Sequence, residues 1–332
     1  MFKPNKIYYE ENITNYPLGK ELLEKYAYIP KTVIQNHNNI EEMRKKENKE
    51  FPKMKKNLII GIRKTHKYVE NYKVSNYLVP YTSSGCTAMC LYCYLVCHYN
   101  KCAYLRLFVN REEMLNKIIK TAESSDKDLV FEIGSNSDLV LENTITGNLK
   151  WTIENFAKSK KGYLTFPTKF HMVDDILEIT GKDRIIIRIS LNPQEIINKV
   201  ELGTSNLEQR LEAIVKLKKA GYKVGILIAP IILVDNYKEL YEQLFIKIKS
   251  SLTDIILQDI FFELIFMTYS FIHNAINTEA FPNALNIYDK NKFRAKGLGK
   301  YTYKEDLRKE ATNFFLELLY KYFPNNKLWY IS

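Results

Sequence analysis

Apolar runs and amphipathic stretches alternate along the middle of the chain. Residues 104–109 are apolar at alternate positions, and 112–122 place Met114, Ile118 and Ile119 at helical spacing. Residues 129–133 form a short, nearly continuous apolar run of the buried-strand type; 149–159 have helical spacing, and 164–166 and 185–189 are again strand-like. A strong helix over 208–220 is closed by Gly221, and the next strand covers 224–229. Before this region, a helix is predicted over 18–28 and strands over 57–63 and 77–80. After it, mostly helical sequence from residue 235 leads to a strand over 260–265 and a final helix over 305–322. Strands separated by helices in this way predict a parallel α/β sheet or barrel, whose active site lies at the carboxyl ends of the strands. The chain shows no internal repeat.

With 332 residues, 46% of them hydrophobic, the chain is long enough for one large domain or two smaller ones. Lys and Arg outnumber Asp and Glu by 49 to 38, a net charge of +11 that suits a polyanionic partner. The Lys-rich stretch 41–56 reads as a solvated helix and linker, with contact to a phosphate backbone as the other reading. All five cysteines fall between positions 86 and 102, unlike a disulfide framework, so a reducing compartment is expected. There is no signal-like start and no apolar run long enough to span a bilayer, which points to a cytoplasmic protein with no membrane partner.

The densest chemistry lies in residues 85–94, Gly-Cys-Thr-Ala-Met-Cys-Leu-Tyr-Cys-Tyr. Cys86, Cys90 and Cys93 form a C-x3-C-x2-C set just after the 77–80 strand, at the predicted active-site rim. Three thiolates suit an iron–sulfur cluster that keeps one iron free for a ligand. Zinc is the alternative, with Cys97, His98 and Cys102 as further ligands. A ferredoxin run has two residues in its first gap, not three. His66, His171 and His273 are isolated and read as packed or surface histidines.

The cysteine spacing, with Tyr92 before the last thiol, resembles the radical S-adenosylmethionine (SAM) superfamily. A longer series of segments is similar to the spore photoproduct lyase family. In order these are Tyr16-Pro-Leu-Gly-Lys-Glu21, Ile60-Gly-Ile-Arg63, Gly85-Cys86, Cys93-Tyr-Leu95, Phe131-Glu132, Ser137-Asp138, Thr168-Lys-Phe-His171, Arg188-Ile-Ser-Leu-Asn192, Gly203-Thr-Ser205, Gln209-Arg210, Lys219-Ala-Gly-Tyr222, Ala229-Pro-Ile231, Phe262-Glu-Leu-Ile265 and Gly297-Leu-Gly-Lys300. They cover nearly the whole chain.

The resemblance implies a partial (β/α)6 TIM barrel over 76–235, preceded by an N-terminal segment, 1–75, and followed by a C-terminal α+β cap, 236–332, that contacts DNA. It implies a [4Fe-4S] cluster on Cys86, Cys90 and Cys93 with SAM on the open iron. The implied reaction is repair of the methylene-bridged thymine dimer of spore DNA, begun when reductive cleavage of SAM yields a radical that takes a hydrogen atom from the lesion. The implied partners are double-stranded DNA carrying the dimer and a reductant of flavodoxin or ferredoxin type, in the cytoplasm of the spore core. Ser137, Asp138, Lys169, Ser190 and Asn192 fall where the family's SAM contacts lie, and the backbone at Ala229 lines the adenine. Tyr92 and Tyr94, beside Cys93, are implied catalytic residues. Arg294, Lys296, Lys300 and Tyr301 mix positive charge with aromatic rings, as phosphate binding and base stacking require; a purely structural hairpin is the other reading of that segment.

The chain departs from the family pattern at two places. Ser135 stands where the family has the cysteine that returns a hydrogen atom to the repaired thymine, and an O–H bond is a poorer hydrogen-atom donor than S–H. Cys97 and Cys102 are the thiols left to substitute; otherwise the chemistry is something other than complete repair. Phe266-Met267-Thr268 replaces a segment expected to be polar and basic. The alternatives are therefore a diverged radical SAM enzyme with another substrate and a metal-containing nucleic-acid-binding protein without catalysis.

Overall fold

The structure, a computed structural model, describes residues 2–98 and 104–332, the side chains of Cys97 and His98 apart. Six parallel strands lie side by side in chain order: β1 (Tyr77–Leu78), β2 (Val130–Glu132), β3 (Tyr163–Thr168), β4 (Ile185–Leu191), β5 (Lys223–Ile231) and β6 (Phe261–Phe266). They form the curved sheet of a partial barrel, as the α/β expectation had it. Their long apolar runs follow from burial on both faces: Ile185, Ile187 and Ile189 of β4 are fully enclosed. The helices Leu139–Thr146, Asn148–Phe156, Leu207–Lys219 and Tyr237–Ser251 fill the crossovers. Gly225 makes room for β6, since a Cβ there would stand 2.4 Å from the Phe261 ring. A further parallel strand, Lys327–Ile331, extends the sheet past β6.

A second sheet orders the strands Lys31–Ile34, Lys6–Glu10, Asn57–Gly61, Leu105–Phe108 and Ser83–Ser84. The 104–109 run, which the alternating pattern reads as one more barrel strand, belongs here, paired with Asn57–Gly61. Apolar periodicity establishes a strand but not its sheet. The cysteine loop therefore lies between two strands of the N-terminal sheet, Ser83–Ser84 and Leu105–Phe108.

The 41–56 stretch is only partly solvated. It contains the short helices Glu41–Arg44 and Phe51–Met54, and Phe51, Met54 and Lys55 are buried. After β6, the strands Thr268–Ser270, Phe293–Gly297 and Lys300–Tyr303 make a small antiparallel sheet, flanked by the helices Phe271–Ala280 and Glu305–Tyr322.

Candidate active site

A cavity of about 340 Å³ opens at the carboxyl ends of the barrel strands, and the three cysteines line one side of it. Gly85, at φ 77°, turns the chain out of Ser83–Ser84, and its N–H donates to the Asn136 carbonyl at 2.7 Å. That contact ties the start of the cysteine loop to the end of β2. On the far side, Met89–Cys90 pairs with the strand Glu201–Leu202. Burial pushes the Cys86 thiol up to about 12 and raises Cys90 as well. Cys86 and Cys90 are thus poor acids until a metal takes the place of the proton. Among the described residues no three His, Cys, Asp or Glu side chains gather about one point closely enough for a single ion. The further zinc ligands named from the sequence, Cys97, His98 and Cys102, have side chains outside the described residues.

Opposite the cysteines, Lys169 reaches in from the end of β3. Its ammonium donates to Ser190 Oγ at 2.5 Å and to the Ala229 carbonyl at 2.8 Å, and lies 5.7 Å from the centre of the Tyr92 ring. Glu201 Oε1 is 3.5 Å away. Glu201 is completely buried and accepts hydrogen bonds from the Tyr92 hydroxyl at 2.5 Å, Asn192 Nδ2 at 2.9 Å and Arg210 Nη2 at 2.6 Å. Burial alone would raise this carboxyl, but Lys169 and Arg210 outweigh it and hold Glu201 down at about 2. Arg210 engages Glu201 at 2.6 Å and Lys169 lies at 3.5 Å from it, so the ammonium that Lys169 presents at the cavity wall suits an anionic ligand group.

Asp138 caps the helix Leu139–Thr146 through Leu141 N at 3.2 Å. Its carboxylate also accepts from Thr168 Oγ1 at 2.8 Å and Lys169 N at 3.0 Å. Burial raises its pKa despite these bonds. Ser137 Oγ lies 2.7 Å from Ser83 Oγ, which in turn is 2.6 Å from the buried Glu142. Ser135 lines the cavity beside Tyr94, whose hydroxyl donates to the Ser135 carbonyl. Ile265, Phe266 and Met267 form an apolar wall.

Cys86, Cys90, Cys93, Tyr92, Tyr94, Ser135, Ser137, Asp138, Lys169, Ser190 and Ala229 therefore share one cavity. Asn192 does not reach its wall; fully buried, it bonds Glu201 and accepts from the Tyr241 hydroxyl at 2.9 Å. The Cys97 side chain and all of Cys102 lie outside the described residues. Arg294, Lys296, Lys300 and Tyr301 stand apart from the cavity on the antiparallel hairpin. Thr268, which lines the cavity, pairs there with Thr302. Arg294 faces Glu305 at 3.3 Å, and the hairpin tip carries Leu298, almost fully exposed between two glycines. Glu201 and Arg210 are functional-site residues that sequence reasoning missed as such. The signal available was two opposite charges nine positions apart beside a strand end, which only the fold turns into a pair.

The sequence model described as spore photoproduct lyase matches residues 2–332. The chain belongs to the spore photoproduct lyase family. It is 33% identical to the spore photoproduct lyase of Bacillus subtilis (strain 168) over 339 residues, covering 100% of this chain and 99% of the relative. To that of Clostridium acetobutylicum it is 31% identical, with 98% of each covered. A solved spore photoproduct lyase complexed with dinucleoside spore photoproduct has the same fold, with a TM-score of 0.92 at 29% identity over 100% of this chain and 99% of that one. A doubly substituted spore photoproduct lyase with bound AdoMet and dinucleoside spore photoproduct matches with the same TM-score, identity and coverage. These likenesses bear out the expected family and barrel.

Proposed function

We propose that this protein repairs the methylene-bridged thymine dimer in DNA, with a [4Fe-4S] cluster on Cys86, Cys90 and Cys93 and SAM between the cluster and Lys169. The observation that carries this reading is the single cavity lined by three cysteines on one side and by the Lys169 ammonium on the other. When bound, the cluster and SAM supply a carbon-centred radical that withdraws a hydrogen atom from the lesion. The chain's own residues orient and enclose. Lys169 offers a charge-assisted hydrogen bond to the methionine carboxylate, Ser190 and Ala229 fix that ammonium, and the apolar wall at 265–267 keeps water from the reacting centre. Lys296, Lys300 and Tyr301 on the hairpin hold the DNA backbone and a base face. A small one-electron donor of flavodoxin or ferredoxin type supplies the reductant. The decisive experiment incubates the reduced, anaerobically reconstituted protein with the synthetic dinucleotide lesion and follows thymine release.

The second reading is a diverged enzyme of the same family. It is favoured by Ser135 at the cavity wall in place of a thiol and by the uncharged Phe266–Met267 surface. SAM cleavage without thymine release would select it.

A further inference from the structure

The helix Phe271–Ala280 crosses from the hairpin to the cysteine loop. Ser270 caps it, accepting from His273 N at 3.3 Å. His273 and Asn277 lie one turn apart on the same face. Asn277 Nδ2 donates to the Leu91 carbonyl at 2.7 Å. His273 Nδ1 accepts from Ser270 N at 3.1 Å, which leaves the ring hydrogen on Nε2, 3.0 Å from the Cys93 carbonyl. The two carbonyls they hold flank Tyr92. From the other side, Leu91 N donates to the Val200 carbonyl at 3.0 Å, and Tyr92 reaches Glu201. The segment 91–93 is thus gripped between the junction of the helix Gln194–Val200 with the short strand Glu201–Leu202 and a helix more than 170 positions away in the chain.

We infer that His273 and Asn277 are positioning residues for the cysteine loop, fixing where Tyr92 and the third cysteine stand in the cavity. This rests on reading the cavity as the cluster and SAM site. Covalent connection alone does not set this geometry, because 91–93 sits in a turn with two-residue strand pairing on one side. Two hydrogen bonds from one rigid helix supply what the turn lacks. The same helix begins at the hairpin tip: Phe271 N donates to the Gly299 carbonyl at 3.3 Å, and a Cβ at Gly299 would come within 2.0 Å of the Phe271 ring. The element that holds the cysteine loop is therefore also the support of the proposed DNA-contacting hairpin, so a load on one is felt by the other.

The test uses the full chain in two states. In the apoprotein, amide hydrogen exchange read by mass spectrometry compares the wild type with Asn277→Ala and His273→Phe. Exchange in the 89–95 segment should rise roughly five- to tenfold while the barrel strands stay unchanged, as expected for the loss of one hydrogen bond in a locally opening unit. Unchanged exchange in that segment, or acceleration throughout the chain, would overturn the inference. After anaerobic reconstitution, electron paramagnetic resonance of the reduced cluster is recorded with and without SAM. The SAM-induced change should weaken in both variants and return in His273→Gln, whose amide can still donate to Cys93. Wild-type spectra in both variants would likewise sink it. Absence of any cluster signal in the wild type would instead remove the functional reading and leave the exchange result to decide the inference alone.

Discussion

Arg210→Met tests the buried charge network behind the cavity. The guanidinium is fully enclosed and donates to Glu201, Thr204 and the carbonyls of Ser190 and Ser205, at 2.6 to 2.9 Å. Its loss leaves Glu201 buried with Lys169 as the remaining cation, and breaking a buried pair from one side costs about 3–5 kcal/mol. The carboxyl points the same way: Lys169 and Arg210 together hold Glu201 at about 2, and the share due to Arg210 is lost in the variant. Unfolding entropy of about 2.1 cal/mol/K per residue over 332 residues amounts to about 0.7 kcal/mol/K. The thermal midpoint of the apoprotein, followed by circular dichroism at pH 7, should therefore fall by about 4–7 °C. Because the folded carboxyl is depressed, its stabilisation is complete above about 4.5 and lost as pH falls toward 2, so the wild type should lose stability through that window more steeply than the variant. Glu201→Gln combined with Arg210→Met should be less damaged than the two single losses added together. A drop under 1 °C, or strict additivity in the double variant, would refute the idea that these charges support one another.

Alanine at any one of Cys86, Cys90 or Cys93 should abolish iron retention after anaerobic reconstitution, measured by metal analysis. Lys169→Ala should raise the SAM dissociation constant about 10- to 100-fold by equilibrium binding, the loss of one charge-assisted hydrogen bond. Ser135→Cys should increase thymine yield per SAM consumed; if Cys97 or Cys102 already supplies the hydrogen atom, its change to Ala should instead depress the yield, and unchanged product in both would remove that role. Lys296→Ala and Lys300→Ala should each weaken DNA binding at low salt and reduce the slope of log affinity against log salt by about 1.

Much of the barrel was legible because doubly covered parallel strands have little choice of composition. Runs such as Ile185-Ile-Ile at the start of β4 announce themselves, and the helix over 305–322 appears as read. The strand Lys6–Glu10 was not legible: only Ile7 and Tyr8 of its five residues are well-buried apolar side chains, too short a pattern to stand out from polar sequence. Lys55 looked like part of a solvated charge run and is buried, because neighbouring Phe51 and Met54 draw the chain inward. The cysteine side of the site was local in sequence and could be read directly. On the opposite wall, Lys169, Ser190 and Ala229 came with the family resemblance, whereas the contacts of Glu201 with Tyr92 and of His273 and Asn277 with the cysteine loop join segments far apart in the chain and appear only in the fold.

The strand Lys327–Ile331 bears on how the molecule is made. It is synthesised about sixty residues after β6, the neighbour it covers. Until it emerges from the ribosome, the nascent barrel presents the unpaired hydrogen-bonding edge of Phe261–Phe266, an open template for other chains. Completion of the sheet is thus timed by translation, and shortening the chain before residue 327 should produce insoluble protein, not a smaller soluble barrel.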